Sequence, residues 1–159
     1  SCLYPPENVI STGYYSDRLE KLLPQDCEIT LCKYQEVGSV SGNFDWVMCA
    51  YTETSIAFKV DLQKIKNKSN ELGAKLYVDA TGSIGLEKNH KLASVISFSS
   101  CKGIFGLTGA AFIGYDIKAL TKRNLSFYQD IDTHLDYKIA NFFKEYKLLL
   151  YLVKYINFS

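Results

Sequence analysis

The sequence is poor in histidine and carries no large excess of either charge. Only two of its 159 residues are histidines, and its five cysteines show no CxxC spacing. We therefore expect no metal site, and we expect reduced thiols of the kind found in cytoplasmic proteins. The net charge of +1 gives no indication of a nucleic-acid partner.

Long apolar runs are missing as well. The N-terminus has no basic segment followed by an apolar one, so we expect no secretory signal and a cytoplasmic location. The apolar stretch 148–153 is far too short to span a bilayer and is flanked by Lys147 and Lys154. We expect no membrane partner, and we expect residues 141–159 to form a C-terminal helical segment that packs on protein.

Short apolar runs alternate with amphipathic segments along most of the chain. This repetition predicts an α/β fold with a mostly parallel sheet, and the length suffices for one domain with a core. A cap at Ser16 or Asp17 is expected to begin the first helix. The predicted strands are 8–12, 28–34, 46–51, 76–78, 95–98 and 110–114, and the predicted helices are 14–23, 61–72 and 117–123.

Polar residues follow three of the predicted strands. Asp79 ends one strand, Lys102 follows another, and the polar residues 53–55 follow a third. Because ligands of open α/β sheets bind at the carboxyl ends of strands, we expect these residues to converge on one crevice. A lysine amine and a carboxylate are the groups that pyridoxal phosphate needs for its Schiff base and its ring nitrogen.

Four segments carry a family resemblance. They are 8–18 (NVISTGYYSDR), 51–55 (YTETS), 77–85 (YVDATGSIG) and 99–103 (SSCKG), in that order. Together they resemble the motifs of class V aminotransferases, which are fold-type I pyridoxal-phosphate enzymes. The resemblance is strongest to the branch of 2-aminoethylphosphonate:pyruvate and alanine/serine:glyoxylate transaminases.

The resemblance implies a role for each of four residues. Lys102 would form the Schiff base and move the proton of the substrate's α-carbon. Asp79 would pair with the pyridinium nitrogen of the cofactor. Thr54 would contact the cofactor on the side of its phenolic oxygen, and Ser100 would donate a hydrogen bond to its phosphate. We expect Lys102 to be partly buried against its strand, because burial favours the neutral amine.

The resemblance also implies a partial architecture. Residues 1–140 would be a partial cofactor-binding large domain, and the family's N-terminal phosphate cup and C-terminal small domain are not found in the sequence. The implied reaction moves an amino group from a small amine or amino acid to a 2-oxo acid such as pyruvate, with 2-aminoethylphosphonate as the leading donor. Family members are homodimers, so a homodimer is expected.

Other interpretations stay open at this point. The chain could be a fragment or degenerate relative that keeps only the fold and an oligomer interface. Taken singly, Asp79 could cap a helix, Thr54 could form a turn and Lys102 could be a solvated surface residue. His90 is expected on the surface, and His134 is either a surface residue or a catalytic base.

A further motif is formally present. Ser99 and Lys102 have the Ser-x-x-Lys spacing of β-lactamases, but that chemistry needs Ser-Asp-Asn and Lys-Thr-Gly partners, which do not occur here.

Overall fold

The computed structural model describes residues 7–25 and 27–116, together with the backbone of 147–151. The predicted helix 117–123 and His134 lie outside these residues. The elements in chain order are β1 (Glu7–Ser11), α1 (Tyr14–Leu22), β2 (Ile29–Lys33), a 3-10 helix (Tyr34–Ser39), β3 (Trp46–Ala50), β4 (Thr52–Glu53), β5 (Phe58–Lys59), α2 (Leu62–Glu71), β6 (Lys75–Asp79), a second 3-10 helix (His90–Leu92), β7 (Val95–Ser99), β8 (Ala111–Tyr115) and β9 (Lys147–Tyr151).

In the described part of the chain, seven strands form one sheet in the order β2-β1-β3-β6-β7-β8-β9. The first five strands are parallel, and β8 and β9 are antiparallel to their neighbours. The short strands β4 and β5 form a separate antiparallel pair. The prediction of an α/β fold with a mostly parallel sheet is confirmed.

One face of the sheet carries the main hydrophobic core. Alternate residues of each strand point to this face, where α2 contributes Leu62 and Ile65. Val9 lies on the opposite face of β1 and is also buried, as is Leu19 of α1, which packs beside β1 and β3. The strand residues of the core are Ile10, Cys32, Val47, Cys49, Leu76, Val78, Ile96 and Phe98.

The boundaries of α2 follow from local sequence. The side chain of Asp61 accepts hydrogen bonds from the backbone N–H groups of Gln63 and Lys64 at 3.0 and 3.2 Å. These N–H groups have no partner inside the helix, so an aspartate at this position stabilises its first turn. After the helix, Gly73 has a φ of 67°, a conformation that favours glycine.

The C-terminal prediction is wrong for the residues that the structure describes there. Lys147–Tyr151 forms a strand, β9, that pairs with β8, whereas a helix was expected over 141–159. The remaining residues of that segment lie outside the described part, and the proposed division at residue 140 stays a prediction. Among the described residues, no helix is long and apolar enough to cross a membrane.

Candidate active site

The three polar segments lie at the same edge of the sheet. β3, β6 and β7 are neighbouring parallel strands, so their carboxyl ends meet there. Beyond the strands, the N–H of Tyr51 donates to the carbonyl of Asp79 at 3.0 Å, and the N–H of Ala80 donates to the carbonyl of Ser97 at 2.8 Å. The main chains at the ends of these strands are therefore adjacent, and convergence of the polar side chains on one crevice stays a prediction.

Asp79 is half-buried at the end of β6. Its Oδ1 accepts a hydrogen bond from the N–H of Thr81 at 2.9 Å, and Oδ2 makes none within the described part of the chain. Burial first, and then the Asp79 charge, raises the pKa of Cys49 to about 12. This edge of the sheet thus holds a carboxylate with one free oxygen, which suits a protonated ring nitrogen.

Lys102 begins the loop that follows β7. Its side chain is exposed, so the expectation of partial burial is wrong, and within the described residues its Nζ makes no hydrogen bond or ion pair. The next residue, Gly103, is buried against the backbone of Ile84. A Cβ added at Gly85 would in turn lie 2.9 Å from the Gly103 carbonyl oxygen. The loop of Lys102 is therefore fixed against the loop that follows Asp79.

Ser100 closes the loop that contains Lys102. Its buried hydroxyl donates to the carbonyl of Leu107 and accepts from the N–H of Ala110 at 3.4 Å. Its carbonyl accepts from the N–H of Gly106 at 2.8 Å. The hydroxyl proton is thus used inside the loop, and a phosphate-binding role for Ser100 stays a prediction.

Thr54 lies in the turn after β4 and is exposed. A Cβ added at Gly82 would be 2.9 Å from Thr54 Cγ2 and 3.3 Å from the Thr52 carbonyl oxygen. The turn therefore packs on the loop that follows Asp79. The loop that follows Asp79 therefore contacts both the turn that holds Thr54 and the loop that holds Ser100 and Lys102.

Glu53 is a residue of this region to which the sequence interpretation assigned no role. It is 0% exposed. Its Oε1 accepts from Ser55 Oγ at 2.5 Å and from the N–H of Tyr15 at 3.2 Å, and its Oε2 accepts from the N–H of Ser16 at 2.9 Å. Burial acts to raise the pKa of Glu53, but these hydrogen bonds outweigh it and hold the pKa below its ordinary value.

The start of α1 differs from the prediction. Its N-cap residue is Gly13, not Ser16 or Asp17. The Ser16 hydroxyl points back instead, accepting from the N–H groups of Thr12 and Gly13 at 2.8 and 2.9 Å. A glycine N-cap has no side chain that can accept from the first N–H groups of the helix, and this is the sequence signal that could have indicated a capping group from elsewhere in the chain.

His90 is half-buried, which corrects the expectation of a surface histidine. Its Nε2 lies 3.0 Å from the hydroxyl of the fully buried Ser83, and its ring packs edge-to-face on Tyr51 with centroids 5.2 Å apart. Burial lowers the pKa of His90, although the nearby Glu87 charge opposes this. His90 thus holds the loop between β6 and β7 against the end of β3.

Sequence comparison matches the chain to no protein-family model and to no curated protein. Structure comparison does find similar proteins. The alanine–glyoxylate aminotransferase of Nostoc sp. superposes with a TM-score of 0.69 at 15% identity, over 80% of this chain and 39% of that one. The pyridoxamine–pyruvate aminotransferase of Mesorhizobium loti gives a TM-score of 0.62 at 18% identity, over 71% and 33%.

The ureidoglycine–glyoxylate aminotransferase of Bacillus subtilis gives a TM-score of 0.61 at 18% identity, over 72% of this chain and 33% of that one. The chain thus spans between 33% and 39% of the length of these three proteins. At such identities the shared property is the fold. The chain therefore has, over part of its length, the fold of the class V aminotransferases that its sequence motifs resemble.

Proposed function

We propose that the chain is part of a pyridoxal-phosphate-dependent aminotransferase. Its amino donor would be a small amine or amino acid, with 2-aminoethylphosphonate as the first candidate, and its acceptor a 2-oxo acid such as pyruvate. One observation carries the proposal. A half-buried carboxylate ends one strand and a lysine follows the adjacent parallel strand, and the loop after Asp79 is in main-chain contact with the loop of Lys102 at Gly103.

Asp79 and Lys102 would perform the proton chemistry. The cofactor, when bound, supplies an electron sink for cleavage of the bond between the substrate's α-carbon and its hydrogen. Oδ2 of Asp79 would keep the ring nitrogen protonated. Lys102 would hold the cofactor covalently through Nζ, and after the donor amine releases it, Nζ would take and return the α-carbon proton.

Thr54 and Ser100 would orient the cofactor. We propose that Thr54 contacts the phenolic oxygen, since its turn packs on the loop after Asp79. Ser100 would donate to the phosphate, and to do so its hydroxyl would exchange the bond to the Leu107 carbonyl for a phosphate oxygen. A bond to a charged oxygen is the stronger of the two, which favours the exchange.

A homodimer is part of the same proposal. The loop after Lys102 exposes large apolar side chains, with Phe105 81% and Leu107 91% exposed. Clustered exposed apolar residues of this kind are typical of protein interfaces, and a second copy of the chain would bury them. A cytoplasmic location is also proposed, and the free thiols of Cys27, Cys32, Cys49 and Cys101 are compatible with it.

A second candidate function has its own support. Lys102 is exposed and the Ser100 hydroxyl is already bonded within its loop. These observations favour a fragment or degenerate relative that keeps the fold and an oligomer interface without transamination.

The first experiment asks which lysine takes the cofactor. The full chain is incubated with pyridoxal phosphate, reduced with borohydride and analysed by peptide mass spectrometry. We expect the label to concentrate at Lys102 and to be lost in Lys102→Ala, while Lys91→Ala, which removes another exposed lysine, labels normally. Label spread evenly over the exposed lysines would exclude the assignment of Lys102.

The second experiment separates the two candidate functions. The loaded chain is mixed with 2-aminoethylphosphonate or alanine in the absence of a 2-oxo acid, and the visible absorbance of the cofactor is followed. Transfer of the amino group to the cofactor removes its visible absorbance band, and added pyruvate, which takes the amino group, restores the band. Label at Lys102 without any such change would favour the relative that has lost transamination.

A further inference from the structure

We infer that Glu53 is a positioning residue for the candidate cofactor site. Its carboxylate joins the turn that carries Thr54 to the N-terminus of α1, and thereby fixes Thr54 beside the loop that follows Asp79. The inference rests on the proposed function for the role of Thr54. The geometry of the Glu53 contacts stands independently of that role.

The contacts join two segments that are far apart in sequence. The first three N–H groups of α1 have no partner inside the helix. Those of Tyr15 and Ser16 donate to the two oxygens of Glu53, and that of Tyr14 donates to Ser55 Oγ at 3.3 Å. Ser55 in turn donates to Glu53. The residues on both sides of Thr54 are therefore anchored to α1.

The Glu53 side chain packs so closely on Gly13 that a larger residue does not fit at position 13. A Cβ added at Gly13 would lie 2.8 Å from Glu53 Cγ and 3.0 Å from Ser55 Oγ. Gly13 has extended backbone, so close packing is what calls for glycine at this position. The N-terminus of α1 and the Glu53 side chain thus form a closely packed pair.

The same contacts decide where an anion can bind. α1 follows β1 at the edge of the sheet where the candidate site lies, and a helix N-terminus attracts negative charge. Here the Glu53 carboxylate already occupies that position. Its negative charge stabilises the helix, and a cofactor phosphate has to be bound by other groups.

The groups that bind Glu53 are uncharged. The titratable residues on the elements packed against it include Asp17 and Arg18 on α1 and Lys59 on β5, all of them exposed. Lys59 is paired with Glu87 at 2.9 Å. The ionised form of Glu53 is therefore stabilised by the hydrogen bonds from Tyr15, Ser16 and Ser55.

NMR on the full chain tests the inference without the cofactor. The backbone amide signals of Tyr15 and Ser16 should move together as pH falls, with a midpoint below the pKa of about 4.3 of an ordinary glutamate. The amide of Thr54 should move with the same midpoint. In Glu53→Gln this transition should be lost, whereas Glu36→Gln, a change at an exposed glutamate, should preserve it. A Thr54 signal that stays in place in both tests overturns the inference.

Cofactor binding gives the second readout. We expect Glu53→Gln to weaken pyridoxal-phosphate binding about tenfold, the effect of losing one hydrogen bond to a ligand, with far-UV circular dichroism unchanged. Equal binding by the variant and the wild type overturns the role of Glu53. If the wild-type chain takes no label at Lys102, the proposed function fails instead, and the NMR titration still decides the link between Glu53 and Thr54.

A second variant covers the case in which Glu53→Gln does not fold. Ser55→Ala keeps the carboxylate but removes the acceptor for Tyr14 and one donor to Glu53. It should displace the Thr54 amide signal while those of Tyr15 and Ser16 still titrate. An unmoved Thr54 signal in this variant contradicts the inference.

Discussion

The main chain of Gly103 lies directly against that of Ile84, next to the lysine of the candidate site. A Cβ at Gly103 would fall far inside contact distance of the Ile84 carbonyl oxygen, and backbone atoms cannot rotate away. We expect Gly103→Ala to lower the free energy of unfolding by roughly 1–3 kcal/mol, the usual effect of overpacking, as measured by urea denaturation. Labelling of Lys102 by pyridoxal phosphate should fall in parallel, because the loop has to move.

The control for this change is Gly38→Ala. A Cβ at Gly38 would meet no atom within 4 Å, so its effect should stay within about 0.5 kcal/mol. If the two alanine variants unfold at the same urea concentration, the loops after β6 and β7 are not in contact as described.

At the scale of elements, the connection between β6 and β7 is held by His90. Burial lowers the pKa of this histidine, so the unfolded chain binds its proton more readily. The stability that His90 contributes is thus present above about pH 6.5, its unfolded pKa, and is lost as pH falls through the lower folded-state pKa. We expect the wild type to lose more stability than His90→Gln between about pH 7.5 and pH 5 in urea denaturation.

The difference between the wild type and His90→Gln measures the contribution of His90 alone to the pH dependence of stability. The other histidine, His134, is present in both and cancels in the difference. Identical pH dependence of unfolding in the wild type and His90→Gln would mean that burial does not lower the pKa of His90 in the folded chain.

The elements show which features local sequence can predict. The strand and helix bounds of β1, β3 and α2 lie within one or two residues of the prediction, because periodicity and the Asp61 cap are local signals. The cap of α1 was missed, since Glu53 lies more than thirty residues further along the chain. β9 was mistaken for a helix because a short apolar run has no clear period and its pairing with β8 is non-local.

On the scale of the whole molecule, the order of strands explains why the site was partly predictable. Alternating strands and helices predict a parallel sheet, and in such a sheet the polar residues after each strand share one edge. That reasoning places the segments of Thr54, Asp79 and Lys102 at one edge of the sheet, and convergence of their side chains stays a prediction. The exposure of Lys102 and the hydrogen bond from Ser100 to Leu107 were not predicted. Both depend on how the loops pack, and local sequence carries no signal for that packing.

Binding of the cofactor at the proposed site should also stabilise the whole fold. A ligand that binds only the folded chain adds about 2.7 kcal/mol at a concentration 100 times its Kd. We therefore expect pyridoxal phosphate to raise the Tm of the full chain in calorimetry, and to do so much less in Lys102→Ala and in Asp79→Asn. Lys91→Ala should respond like the wild type. Because Asp79 and Lys102 follow different strands, an equal rise in all four proteins would show that the cofactor is bound outside this edge of the sheet.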